Sequence, residues 1–237
     1  MKVLAPAVTI ILTSHMKPLV AEALDSIFAQ TRRDYEVIVA DSGQWIGRED
    51  ALSREMAAAH WRYSRHPLVE WVTTGEPPDL IAHRCPVAWA TNEVIRAGLV
   101  RGRYVCTFYD DDAYYPTFIE KMAGFLDANP DRGAILCAQD RLAWAGDGWR
   151  SAGRLGHGEL GPGQFDNRVD GGQIMFRRTV LDAIGDPWLP EEPADGSCRH
   201  SDGIFLEKVA RACGTVPALP DVLCANRKTP LSRYSPT

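Results

Sequence analysis

Short apolar runs alternate with amphipathic stretches through the first half of the chain. Residues 8–12, Val-Thr-Ile-Ile-Leu, have the β-branched content of a buried strand. Pro18 suits the start of a helix, where its missing N–H costs no hydrogen bond. Leu19, Val20, Ala23, Leu24, Ile27 and Phe28 then recur at helical spacing and give that helix one apolar face. Asp34-Tyr35 leads into a second strand, 36–40, which ends at Asp41-Ser42-Gly43. A polar helical stretch at 49–61 follows, then a third strand at 68–72 and a helix at 87–99 that Gly102 stops. Residues 104–109 form a fourth strand, which ends in Asp110-Asp111-Asp112.

Strands alternating with helices imply right-handed crossovers and a mostly parallel sheet. In such sheets the ligand binds outside the carboxyl ends of the strands. Three of these strands end in polar groups: Thr13-Ser14-His15, Asp41-Ser42 and the Asp triplet. All three fall on one edge, and their convergence carries more weight than any one of them.

The second half is less regular. Phe118, Ile119, Met122, Phe125 and Leu126 line one face of a helix at 116–129. A strand at 133–138 precedes a glycine-rich mobile loop over 146–163. A short strand at 172–176, a short helix at 178–184 and a loop rich in Pro and acids at 187–198 come next. Ser201 suits the N-cap of a helix running through Ala212. Residues 226–237 read as a flexible tail, and no internal repeat is present.

Composition narrows the function classes. The 237 residues are 45% apolar and 24% charged, as in an ordinary soluble globule large enough for one domain. The net charge of −5 and the absence of a basic run disfavour nucleic-acid backbones and lipid surfaces as partners. Cys85, Cys106, Cys137, Cys198, Cys213 and Cys224 contain no C-x-x-C pair, so a structural zinc site is not expected and a reducing, cytoplasmic compartment is. Pro6 interrupts the first apolar run, which fits a strand better than a signal peptide. No run approaches the ~18 apolar residues of a membrane-spanning helix.

The triplet is the sharpest chemical feature. Three adjacent carboxylates repel one another and are costly to hold beside a core without a cation. A hard divalent ion that shares oxygen ligands with a substrate diphosphate would compensate them. A solvated acidic turn is the bland alternative.

These residues together resemble a known family. Residues 8–15 (Val-Thr-Ile-Ile-Leu-Thr-Ser-His), 23–31 (Ala-Leu-Asp-Ser-Ile-Phe-Ala-Gln-Thr) and 35–43 (Tyr-Glu-Val-Ile-Val-Ala-Asp-Ser-Gly) look like the opening of family 2 glycosyltransferases. The triplet sits where that family carries metal-binding aspartates, and Ser201-Asp202-Gly203 resembles the acidic motif that supplies its catalytic base. Length and motif order look most like the compact spore-coat polysaccharide type. The resemblance implies one α/β domain of GT-A, Rossmann-like architecture: a mostly parallel sheet flanked by helices, with a smaller acceptor-side subregion. Residues 1–112 would bind the nucleotide-sugar and 113–237 the acceptor.

The resemblance further implies an inverting transfer from a nucleotide-diphospho-sugar to the hydroxyl of a glycan or small molecule, assisted by Mn²⁺ or Mg²⁺. Thr13, His15, Asp41, Arg84 and Asp110 would contact the nucleotide, Asp111 and Asp112 the metal, and Asp202 the acceptor proton. The family often has a second acid after the one at Asp41, where this chain has Ser42; UDP-, dTDP- and GDP-sugars therefore stay open as donors. The enzyme would be cytoplasmic, soluble or recruited peripherally to a membrane, with no integral membrane segment. A sugar nucleotidyltransferase would want a glycine-rich phosphate loop after the first strand, and residues 13–17 hold no glycine. A non-catalytic nucleotide-sugar-binding homologue remains the other alternative.

Other residues carry two readings each. Asp202 at a helix start fits a capping carboxylate as well as a base. Trp144 and Trp149 suit stacking on an acceptor sugar or packing in the core. Asp170-Gly171-Gly172-Gln173 suits an acceptor pocket or a tight turn. Arg227 and Lys228 would either close over the diphosphate or belong to a solvated tail.

Overall fold

The computed structural model describes residues 5–14, 19–41, 46–47, 49–75, 86–165, 168–186, 188 and 201–228. His15, Pro18, Ser42, Arg84, nearly all of the acidic loop at 187–198 and the chain beyond 228 lie outside the described residues. The first half alternates as its pattern predicts: β1 (Val8–Ser14), α1 (Val20–Phe28), β2 (Tyr35–Asp41), α2 (Ala51–Tyr63), β3 (Val69–Thr73), α3 (Pro86–Arg96) and β4 (Tyr104–Tyr109). β3, β2, β1 and β4 lie side by side and parallel.

The second half adds β5 (Asp112–Tyr114), α4 (Phe118–Ala128), β6 (Ala134–Trp144), β7 (Trp149–Leu155), β8 (Ile174–Arg177), α5 (Thr179–Ile184), α6 (Ser201–Cys213) and β9 (Ala218–Lys228). The sheet continues β4-β8-β6-β9-β5, with β7 on β6. Here β8 runs antiparallel to both β4 and β6, and among the described residues only β6 and β9 pair in parallel. The parallel character therefore belongs to the first half.

Period-two alternation splits the core into two layers. Val8, Ile10 and Leu12 of β1 face one cluster with Val20, Leu24 and Ile27 of α1 and with Phe118 and Met122 of α4. Ile11 faces the other, with Val94 of α3 and Phe205, Leu206 and Val209 of α6. β1 is buried on both faces, which is why its sequence reads as a continuous apolar run.

Three expectations change. The loop expected over 146–163 contains β7, paired to β6 across a turn at Gly146, whose φ is 90°. Residues 150–154 of β7 are exposed throughout, so no apolar alternation marks the strand. Asn226, Arg227 and Lys228, expected in a flexible tail, are the end of β9. Pro220 within that strand argues against a strand by composition. The strand expected at 172–176 starts instead as a 3-10 turn, Gly171–Gln173.

The edge opposite the strand ends also holds a buried acid. Glu36 accepts from Thr9 Oγ1 at 2.6 Å, from the Arg101 backbone N–H at 3.1 Å and from Arg101 Nε at 2.6 Å. Thr9 Oγ1 in turn accepts from the Gly102 N–H at 2.8 Å. A Cβ at Gly102 would stand 2.4 Å from the Thr9 nitrogen, so only glycine lets the turn before β4 approach β1 this closely. Glu36→Ala strands these donors and should cost about 1–3 kcal/mol of stability in urea unfolding. Nucleotide affinity should not change, because Glu36 lies at the far edge of the sheet. Among the described residues, no helix is long and apolar enough to cross a membrane.

Candidate active site

Register places the strand-end acids in one row. Ser14 pairs with Asp41 across β1 and β2, and Thr13 pairs with Tyr109 across β1 and β4. Asp110 follows Tyr109, and Ser14 Oγ donates to its Oδ2 at 3.1 Å. Asp41 and Asp110 thus bracket β1 at a separation of about 10 Å, two interstrand spacings.

Asp41 is almost fully buried, and Trp71 Nε1 donates to its Oδ2 at 3.0 Å. Trp71 is held by the edge of His60, with ring centroids 5.0 Å apart. Sequence reading missed Trp71, because a tryptophan within a short strand looks like packing. Thr91 Oγ1 donates to the Val87 carbonyl at 2.9 Å, so Thr13 Oγ1 is the donor in its 2.9 Å bond to Thr91. Thr13 therefore ties β1 to α3.

The triplet occupies the turn between β4 and β5. Asp110 and Asp112 are 2% and 0% exposed, and Asp111 is 8% exposed. Asp112 begins β5, and its Oδ1 accepts from Asn226 Nδ2 at 3.0 Å. A Cβ at Gly172 would meet Asp112 Oδ2 at 2.5 Å, so the carboxylate of Asp112 points inward against the 3-10 turn. Asp111 is the most exposed acid of the three.

That 3-10 turn brings a fourth acid. Asp170 caps it, accepting from the Gly172 N–H at 2.9 Å, while Gln173 returns a bond to the Asp170 N–H at 2.9 Å. Gln173 Nε2 donates to the Cys137 carbonyl at 2.8 Å, which seats the turn on β6. Burial, and the nearby charge of Asp111, push the Asp170 carboxyl above its ordinary value, while Lys228 opposes the shift. The turn reading of residues 170–173 holds, and it places Asp170 beside the triplet. α6, whose first turn contains Asp202, also contacts this 3-10 turn.

Arg227 departs most from expectation. It is 4% exposed, and its guanidinium donates to the Asp111 and Asp112 carbonyls at 3.1 and 2.8 Å and to Glu22 Oε2 at 2.5 Å. It is neither a solvated tail residue nor a loose phosphate clamp. Trp144 and Trp149 pack edge-on across the β6–β7 turn with centroids 5.4 Å apart; Trp144 is half exposed and the Arg227 guanidinium lies 5.8 Å from the Trp149 ring. The core reading fails for Trp144.

Among the described residues, no group of three His, Cys, Asp or Glu side chains forms a metal cage. Mg²⁺-type ions are commonly bound by one or two carboxylates plus substrate phosphates and water, so a cage is not required. The donor set fits an ion of that kind. Its oxygens are hard, Asp111 is the outermost, and its charge already raises Asp170.

Parallel strands that deliver acids to their carboxyl ends, continued by a mixed sheet, define the GT-A fold of the glycosyltransferases. The chain belongs to glycosyl transferase family 2, whose sequence profile matches residues 9–184. No curated protein matches it. S. aureus TarS 1–349 in complex with UDP-GlcNAc is similar in structure, with a TM-score of 0.60 at 16% identity, over 94% of this chain and 58% of that one. The complex of TarS 1–349 with UDP gives 0.60 and 16% over 94% and 61%, and TarS itself gives 0.59 and 16% over 94% and 37%. The chain thus spans about three-fifths of TarS 1–349. At this identity the likeness is one of fold.

Proposed function

We propose that the chain transfers a sugar from a nucleoside-diphospho-sugar to a hydroxyl acceptor with inversion. The observation that carries this reading is the row Asp41–Ser14–Asp110, with Asp111 beyond it, along the ends of adjacent parallel strands. The row suits an extended nucleotide, with the base and ribose toward Asp41 and Asp110 and the diphosphate toward Asp111. Trp71 holds one Asp41 oxygen in place, which presets the carboxylate for a base or ribose donor. His15 and Arg84 complete the proposed nucleotide contacts. Asp112 supports the turn from inside and is proposed as an indirect contributor to the metal site. The chain acts as one domain in which 1–112 bind the donor and 113–237 face the acceptor, while β9 returns to the donor side.

A bound Mn²⁺ or Mg²⁺ would stabilise the charge that gathers on the leaving diphosphate, an effect worth several kcal/mol. Asp111 would hold that ion, and only through it the diphosphate end of the donor. Asp202, in the first turn of α6, accepts the proton of the acceptor hydroxyl as that oxygen attacks the anomeric carbon from the face opposite the diphosphate. Buried neighbours around Asp110 and Asp112 keep water from the turn.

Thermal unfolding with UDP, GDP and dTDP, each with and without Mn²⁺, tests the reading, because ligands that bind the native state raise its stability by mass action. A Mn²⁺-dependent rise with one nucleotide supports the transferase and identifies the donor class; TarS, solved with UDP and UDP-GlcNAc, favours UDP. No rise with any of the three overturns it.

A further inference from the structure

We infer that Arg227 is a positioning residue that aims the Asp111 carboxylate at the donor diphosphate by fixing the backbone of the acid turn. The inference rests on the reading of Asp111 given above. Three adjacent carboxylates repel one another, and a turn of this kind does not hold its direction by side-chain packing alone. Arg227 supplies the constraint from the last strand. Its backbone N–H and its Nε both donate to the Asp111 carbonyl at 3.1 Å, and its Nη2 donates to the Asp112 carbonyl at 2.8 Å. These bonds orient the two successive peptide planes that flank Asp112. The first of these planes also carries the Asp111 Cα, so the Asp111 Cα–C bond is set and only rotation about that bond is left to redirect its Cα–Cβ bond.

The guanidinium is itself immobilised. Glu22 of α1 takes its Nη1 at 2.5 Å, and the Trp149 ring lies 5.8 Å away. At 4% exposure it competes little with water for these acceptors. Its planar fork reaches two carbonyls and a carboxylate at fixed angles, which the point charge of a lysine does not reproduce. Ladder pairing of Asp112 with Asn226 sets the register that brings Arg227 under the turn. The C-terminal strand thereby builds part of the donor site although it is the last element in sequence.

Groups that hold a metal ligand in place typically change metal affinity by ~10–100-fold when removed. The test measures UDP affinity by calorimetry with and without Mn²⁺ in wild type, Arg227→Lys, Arg227→Met and Glu22→Ala, with folding checked by circular dichroism. The Mn²⁺-dependent gain in UDP affinity should fall about tenfold or more in both Arg227 variants, while metal-free UDP affinity stays within about twofold. A purely structural arginine would lower the melting temperature and leave that gain intact in the folded protein. The wild-type gain retained in folded Arg227→Lys overturns the inference and leaves the proposed function standing. Glu22 is exposed on its helix, so Glu22→Ala, which removes the acceptor that anchors the guanidinium, serves where neither Arg227 variant folds; an unchanged gain there shows that the anchored guanidinium does not set the metal site and overturns the inference. A wild-type protein without any Mn²⁺-dependent gain overturns the proposed function and this inference together.

Discussion

Asp202→Asn should lower sugar transfer by ~10²–10⁴-fold, the usual contribution of a positioned general base. Asparagine has nearly the same shape and no basic oxygen. Within a first helical turn it loses only the charge–dipole contribution of the acid, so the substitution separates the two readings of this acid. A capping carboxylate predicts full turnover in the variant. A base predicts lost turnover with the melting temperature changed little, since a carboxylate in a first helical turn typically contributes only about 0.3–1 kcal/mol. Mn²⁺-dependent nucleotide binding should survive, because the proposed role of Asp202 is toward the acceptor. Initial rates and nucleotide-induced thermal shifts on the same preparation decide the matter. Wild-type turnover in the variant would remove Asp202 from the mechanism.

Asp111→Ala should abolish the Mn²⁺-dependent part of nucleotide affinity and reduce turnover on the order of 10²–10³-fold, which corresponds to several kcal/mol of lost charge stabilisation. The sign of the metal-free effect is informative. Removing a carboxylate next to a diphosphate relieves repulsion, so metal-free nucleotide affinity should stay constant or rise slightly. A fall in metal-free affinity would mean that Asp111 contacts the nucleotide itself. Mn²⁺ that still tightened binding in the variant would place the metal elsewhere. Asp170 should also respond: with the Asp111 charge removed, one cause of its raised carboxyl disappears and its titration should move downward, measurable by NMR.

Much of the first half was legible in sequence. β1, β2 and β4 are buried on both faces, so their apolar runs are continuous and end abruptly where acids begin. Parallel topology then fixes which strand ends share an edge, and the row Asp41–Ser14–Asp110 follows. What local pattern did not reveal lies where strands are exposed or irregular. β7 shows no alternation because both of its faces meet solvent, and β9 carries Pro220 and a shifted register against β6. Trp71 and Glu36 looked like ordinary strand residues, since nothing local distinguishes a tryptophan that orients Asp41 from one that only packs.

By itself the sequence determined the alternation of elements, the parallel first half, the family and the acids at the strand ends, because period and burial are properties of neighbouring residues. Only the tertiary structure decided which long-range partners those acids keep. Arg227 lies 116 positions from Asp111 and 205 from Glu22, and it meets both because β9 pairs with β5 beneath the acid turn. The inward direction of Asp112 and the approach of Asp170 are equally matters of strand pairing. Hydrogen bonds between segments so far apart depend on register, and register is set by the whole sheet.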